Sequence, residues 1–155
     1  MTAIQTIKGR DVSHCHVPDS PCRDREMTAA DRAAAREVAS HYPEAVELRP
    51  PSFDYNCHGY AYARAHGWFD HPRRLMDDNY NVFPLDDPRV GDVVVYKHGQ
   101  TLMHSAVVTR VEGGEVVELR SKWGELAVLL HDLKGVPRSY GHPEFLLRRV
   151  PAEPS

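Results

Sequence analysis

Two residue types in this chain carry nucleophilic chemistry at a usable spacing. Cys57 sits in Tyr55-Asn56-Cys57-His58-Gly59-Tyr60-Ala61, and His104 opens the stretch His104-Ser105-Ala106-Val107-Val108, 47 positions later. A free thiol has a pKa of about 8.5, so little of it is thiolate at neutral pH. It attacks an amide carbonyl when a base takes its proton or when its surroundings lower that pKa. Asn56 suits an N-cap, which places Cys57 in the first turn of a helix, where unpaired N–H groups and the helix dipole favour the thiolate. The amides of Cys57 and His58 then face an oxyanion, with the side chains of Asn56 and Tyr55 as further candidates to help it.

Two histidines compete for the role of base. His58 adjoins Cys57, but neighbouring helix positions point about 100° apart, so it lines a site rather than serving the thiol. His104 begins a strand after a polar loop. The turn Glu112-Gly113-Gly114-Glu115 pairs Glu112 with Glu115. Counting back sets Ala106 opposite Ser121 and His104 opposite Trp123. Strand alternation gathers His104, Ala106, Val108, Leu119, Ser121 and Trp123 on one face, and Thr109, Glu118, Arg120 and Lys122 on the other. The helix bearing Cys57 is expected on the first face. Ser121 is the polar group nearest the imidazole and the first choice to orient it, with Trp123 lining the same site. A one-residue slip would substitute Glu118, and His142, beside Tyr140, is a reserve.

These residues need particular elements beneath them. Residues 1–26 are polar and carry Pro18 and Pro21, which suggests an extended or irregular N-terminal arm. Thr28-Ala29-Ala30-Asp31 has the form of a capping box and opens an alanine-rich helix to about His41, with Ala30, Ala33, Ala34 and Val38 as its packing stripe. A second helix is expected from Asn56 to about His66, stopped by Gly67. From Gly91 the texture turns to strand: 92–97, 102–111, 116–123, 126–130 and 145–150. Helices first and an antiparallel meander after argue an α+β fold. The expected organisation is an arm over 1–26, one α+β domain over 27–150, and a tail over 151–155.

In this order the residues resemble the papain-like cysteine peptidases and amidases, in their NlpC/CHAP branch. The segments that carry the resemblance are Asn56-Cys57-His58-Gly59-Tyr60-Ala61, Gly91-Asp92-Val93-Val94-Val95-Tyr96 and His104-Ser105-Ala106-Val107-Val108, within residues 50–125. It implies a papain-like (NlpC-type) fold, Cys57 as nucleophile, His104 as base and an acyl-thioenzyme intermediate on a peptide or other amide substrate. The familiar Asp-Cys-Ser-Gly is Asn-Cys-His-Gly here, and Ser121 stands where the family places His, Asn or Gln. A non-catalytic binding module or an acyltransferase on the same scaffold is the competing expectation.

Composition narrows the classes. The chain has 155 residues, 41% of them hydrophobic, and a net charge of −3. That supports one domain with a core and argues against nucleic acid as a partner. No apolar run spans a membrane and no signal peptide is evident, so the expectation is a cytoplasmic protein or one exported by a leaderless route. No cofactor is called for. His14, Cys15, His16 and Cys22 offer two thiols and two imidazoles, but their spacing fits no common zinc signature. A small zinc-binding protein built on them is a further alternative.

Overall fold

The structure is a computed structural model that describes residues 2–14, 27–65 and 67–151. Its elements in chain order are β1 (Thr2–Gln5), β2 (Asp11–His14), α1 (Ala29–Ala39), β3 (Val46–Arg49), α2 (Cys57–Tyr62), α3 (Arg73–Asn79) and β4 (Tyr80–Phe83). Then follow β5 (Val93–His98), β6 (Thr101–Glu112), β7 (Glu115–Lys122), β8 (Val128–His131), a 3-10 turn at Arg138–Tyr140, and β9 (His142–Arg149). β3 to β9 form one seven-stranded sheet in the order β3-β8-β7-β6-β5-β9-β4, antiparallel at every pairing. The fold is α+β. No helix among the described residues is long and apolar enough to cross a membrane.

The sheet is buried on both faces. Val93, Val95 and Leu147 point to one face and pack with Tyr62, Phe69, Leu75, Met76 and Val12. Val94, Tyr96, Ala106, Val108, Leu119, Trp123 and Leu146 point to the other, where Tyr42, Ala45, Val136 and Tyr140 cover them. Burial on both sides explains the unbroken Val93-Val94-Val95-Tyr96 run, since neither parity meets water.

The hairpin register follows the count from the turn. Glu112 lies opposite Glu115, and after irregularities around Arg110, Val107 returns opposite Arg120 and Val108 opposite Leu119. The capping box is also present: the Thr28 side chain accepts from the Asp31 amide at 3.1 Å, and the Asp31 carboxylate accepts from the Thr28 amide at 2.9 Å.

Several expectations are corrected. Part of the expected N-terminal arm is an ordered hairpin of β1 and β2, tied to α3 by Arg10, whose Nε and Nη2 each donate to Asp78 at 2.8 Å. Thr6 Oγ1 donates to the same carboxylate at 2.5 Å, and these partners hold Asp78 down to about 2. The packing stripe of α1 is wrong: Ala30, Ala33, Ala34 and Val38 are exposed, and Ala35 is buried.

The second helix is shorter than expected. α2 stops at Tyr62, and Arg64 and Ala65 follow in the left-handed region at φ 52° and 65°. This costs a non-glycine residue on the order of 1 kcal/mol or more. The bend returns the chain so that Gly67 bridges to Tyr55. Gly59 is required by that return, because a Cβ there would collide with the Gly67 carbonyl oxygen.

Candidate active site at the N-terminus of α2

Asn56 launches α2. Its Oδ1 accepts from the Gly59 amide at 2.9 Å and the Phe69 amide at 3.2 Å, while its Nδ2 donates to the Phe69 carbonyl at 2.8 Å. The expected N-cap is therefore present. The side chain caps the helix and pins the 67–69 segment, and one of its two amide N–H groups is left over beside the pocket at Cys57.

Cys57 is the first residue of α2 and is buried, the one free cysteine among the described residues. Burial pushes its thiol up to about 11, against the amides of Ser105 and His58 and the charge of Lys122, which pull it down. The expected lowering at a helix start does not prevail. A six-residue helix has little dipole to offer, and desolvation of a buried thiolate outweighs it.

A pocket of about 220 Å³ opens at this point, lined by Asn56, Cys57, His58, Trp68, Phe69, Asp70, Met103, Gly124 and Tyr140. His58 thus lines the site as expected. Its Nδ1 lies 3.0 Å from Ser105 Oγ, which lies 2.8 Å from the Tyr62 hydroxyl. Burial holds the His58 ring down to about 4. Tyr55 and Trp123 do not line this pocket. The Tyr55 ring stacks on Tyr60, and Trp123 is fully buried on the opposite face of the sheet.

His104 sits in β6, fully buried, with its Nε2 3.0 Å from Ser121 Oγ. The same hydroxyl lies 2.7 Å from His131 Nε2 and accepts from Trp123 Nε1 at 3.1 Å. His131 Nδ1 lies 2.7 Å from the Asp132 carbonyl.

This chain of contacts assigns the protons. A carbonyl only accepts, so His131 carries its proton on Nδ1 and presents a lone pair at Nε2. Ser121 donates its single proton there. Its two remaining acceptor positions take the N–H of Trp123 and the N–H of His104 Nε2. His104 is left with a bare lone pair at Nδ1, and that atom is buried without a hydrogen-bond partner. Burial and the neighbouring His131 and His58 push its pKa well below the ordinary histidine value.

Ser121, the first choice from sequence, therefore does contact the imidazole. Glu118 does not: it is turned toward Thr109, whose Oγ1 donates to it at 2.9 Å. His142 is exposed at the start of β9, whereas His131 is the second histidine of the network.

The expected placement of α2 is corrected. His58 and Tyr62 bond to Ser105, so α2 packs on the Ser105 face of the sheet, and His104 projects from the other. Cys57 and His104 share no hydrogen bond. Tyr140 links their surroundings: its ring stacks on His104 at 4.2 Å and 14°, and the residue lines the Cys57 pocket.

Lys122 is the residue that sequence reasoning passed over. It is fully buried, and its Nζ donates to the carbonyls of Ser52 at 2.6 Å, Tyr55 at 3.0 Å and Gly124 at 2.5 Å. Three carbonyls match the three protons of an ammonium. Burial lowers it to about 7, and Cys57 is the first of the groups that raise it again. The lysine ties the end of β7 to the loop that delivers Cys57.

Of the His14, Cys15, His16 and Cys22 group, only His14 lies in the described residues, its ring 4.9 Å from that of Phe69. No family model, no curated protein and no solved structure matches the chain.

Proposed function

We propose that this protein is a cysteine-dependent amidase or peptidase working through an acyl-thioenzyme, with Cys57 as nucleophile and His104 as base. The scaffold assigned by this reading is papain-like, of the NlpC/CHAP branch. The observation that carries it is the bare Nδ1 of His104. Three hydrogen bonds to Ser121 set that ring in one tautomer and leave a basic atom unpaired in the interior. An unpaired buried polar atom costs about 1–3 kcal/mol, a cost that calls for a role.

In the proposed reaction, His104 Nδ1 takes the thiol proton as Sγ bonds to the amide carbonyl carbon. The tetrahedral intermediate collapses as that proton passes to the leaving amine and the C–N bond breaks. Water, losing a proton to the same Nδ1, then adds to the thioester, and the proton returns to Sγ as the acid departs. Because the thiol is protonated at rest, activation comes from this transfer rather than from a preformed thiolate. The reading requires a rearrangement on substrate entry that brings the thiol and the imidazole together.

A second reading, a binding module without catalysis, is favoured by α2 packing on the face opposite His104. One experiment separates the two. Iodoacetamide labelling and a peptidyl electrophile are applied to the full chain and read by mass at Cys15, Cys22 and Cys57. The catalytic reading expects the peptidyl electrophile to select Cys57 and to lose that selectivity in His104→Ala. Equal labelling of all three cysteines, unchanged in His104→Ala, would establish the binding module instead.

A further inference from the structure

A second concavity lies toward the far end of α2 from Cys57. It is a groove of about 410 Å³ lined by Arg49, Tyr60, Ala61, Tyr62, Arg64, Ala65, Gly91, Val107, Arg120 and Arg149. Among the described residues, four arginines and no carboxylate line it, in a chain whose net charge is −3. The ion pairs of the described residues engage Arg10, Arg36, Arg110 and Arg148, and none of the four in the groove.

Two of these guanidinium groups lie near phenol rings. Arg49 sits over the Tyr60 ring at 5.6 Å. Arg149 lies 6.0 Å from the centre of the Tyr80 ring. Phenol contacts orient an arginine but leave its charge uncompensated. Arg64 reaches the groove from the left-handed bend after α2, at φ 52°.

We infer that this groove binds a small molecule through a diphosphate group. Four neighbouring cations repel one another unless an anion of several charges joins them. A single carboxylate would leave most of that charge unmet, whereas a diphosphate presents it on oxygens that match the planar forks of arginine in pairs. The volume falls within the range of small-molecule sites, roughly 300–1,000 Å³, and the concavity suits a compact ligand better than a flat protein surface. The inference does not depend on the chemistry at Cys57.

The test is calorimetric titration of the full chain with inorganic pyrophosphate and with ADP in about 0.15 M salt, which screens diffuse attraction. Saturable binding is expected, weakened about tenfold in Arg120→Gln and in Arg64→Gln, the loss of one charge-assisted hydrogen bond. Arg36→Gln, on α1, should bind as the parent does. All three side chains are exposed, so folding is expected to survive and is checked by melting temperature. Equal affinity for the two probes assigns recognition to the diphosphate alone, and tighter ADP adds a nucleoside contact. Absent saturation with both probes, equal binding in Arg120→Gln and Arg36→Gln, or citrate binding as tightly as pyrophosphate would overturn the inference. So would a single-stranded oligonucleotide that binds more tightly than ADP.

Discussion

His104 Nε2 and His131 Nε2 meet at one hydroxyl, Ser121 Oγ, at 3.0 and 2.7 Å. They approach it in opposite roles, one donating and one accepting. Ser121 is thereby a polarity converter: the carbonyl of Asp132 sets His131, His131 sets the serine proton, and the serine sets His104. The consequence reaches His104 Nδ1, the one buried side-chain nitrogen or oxygen among the described residues with no hydrogen-bond partner.

Ser121→Ala removes the acceptor for two N–H groups and the donor for one ring nitrogen, all in the interior. A loss of about 2–4 kcal/mol in urea unfolding is expected, from the desolvation of groups left unpaired. The tautomer should also relax. Nitrogen-15 shifts of the His104 ring, which report Nε2–H in the parent, should then show a mixture. Retention of a pure Nε2–H form in Ser121→Ala would contradict the proton assignment.

Lys122 offers a different measurement. Lys122→Met leaves the carbonyls of Ser52, Tyr55 and Gly124 without their shared donor, a destabilisation of roughly 3 kcal/mol. It also removes the cation that favours the Cys57 thiolate. In a Cys15→Ser, Cys22→Ser background, the pH at which iodoacetamide labelling of Cys57 reaches half its maximum should move upward. A downward or absent shift would show that the ammonium does not act on the thiol.

The four strands β5 to β8 were legible because alternation, the Gly113-Gly114 turn and short apolar runs act locally. So were the N-caps at Thr28 and Asn56, and the contact of Ser121 with His104, which follows from register alone. The face chosen by α2 was not legible. It depends on Ser105, which looked like an ordinary strand residue but bonds to both His58 and Tyr62. His131 reads from sequence as a loop histidine, ranked behind His142, because the expected strand stops at Leu130, one position short of the end of β8; Lys122 was missed because a lysine on a polar-looking parity carries no sign of three carbonyls waiting for it. β3 and β4, the sheet edges, are too short to announce themselves.

Acid should unfold the protein through its histidines. Burial holds His58 down to about 4, lowers His131 and pushes His104 well below the ordinary value. In the unfolded chain each titrates near 6.5. Below that pH the unfolded state binds more protons than the folded state. Stability is therefore complete above about pH 6.5 and falls as the pH drops toward the folded values, by up to about 1.4 kcal/mol per pH unit for each histidine. Urea midpoints measured across about pH 7.5 to 5 should show this decline, less steep in His58→Gln. A flat profile would mean that these rings are solvated.

Gly59 tests the geometry that brings Cys57 to its pocket. The glycine follows Cys57 by two positions, and its missing side chain lets the Gly67 carbonyl pass close to α2. Gly67 in turn lies against the His14 ring, so helix, return segment and N-terminal hairpin are stacked on that one contact. On helix propensity alone Gly59→Ala would stabilise by about 1 kcal/mol. The collision is with backbone, which cannot rotate away, and overpacking of this kind costs about 1–3 kcal/mol or more. The expected sign is therefore destabilisation, read by urea unfolding, together with faster labelling of Cys57 as the 67–69 segment lifts. A stabilised Gly59→Ala would show that the return segment does not cross α2 at this point.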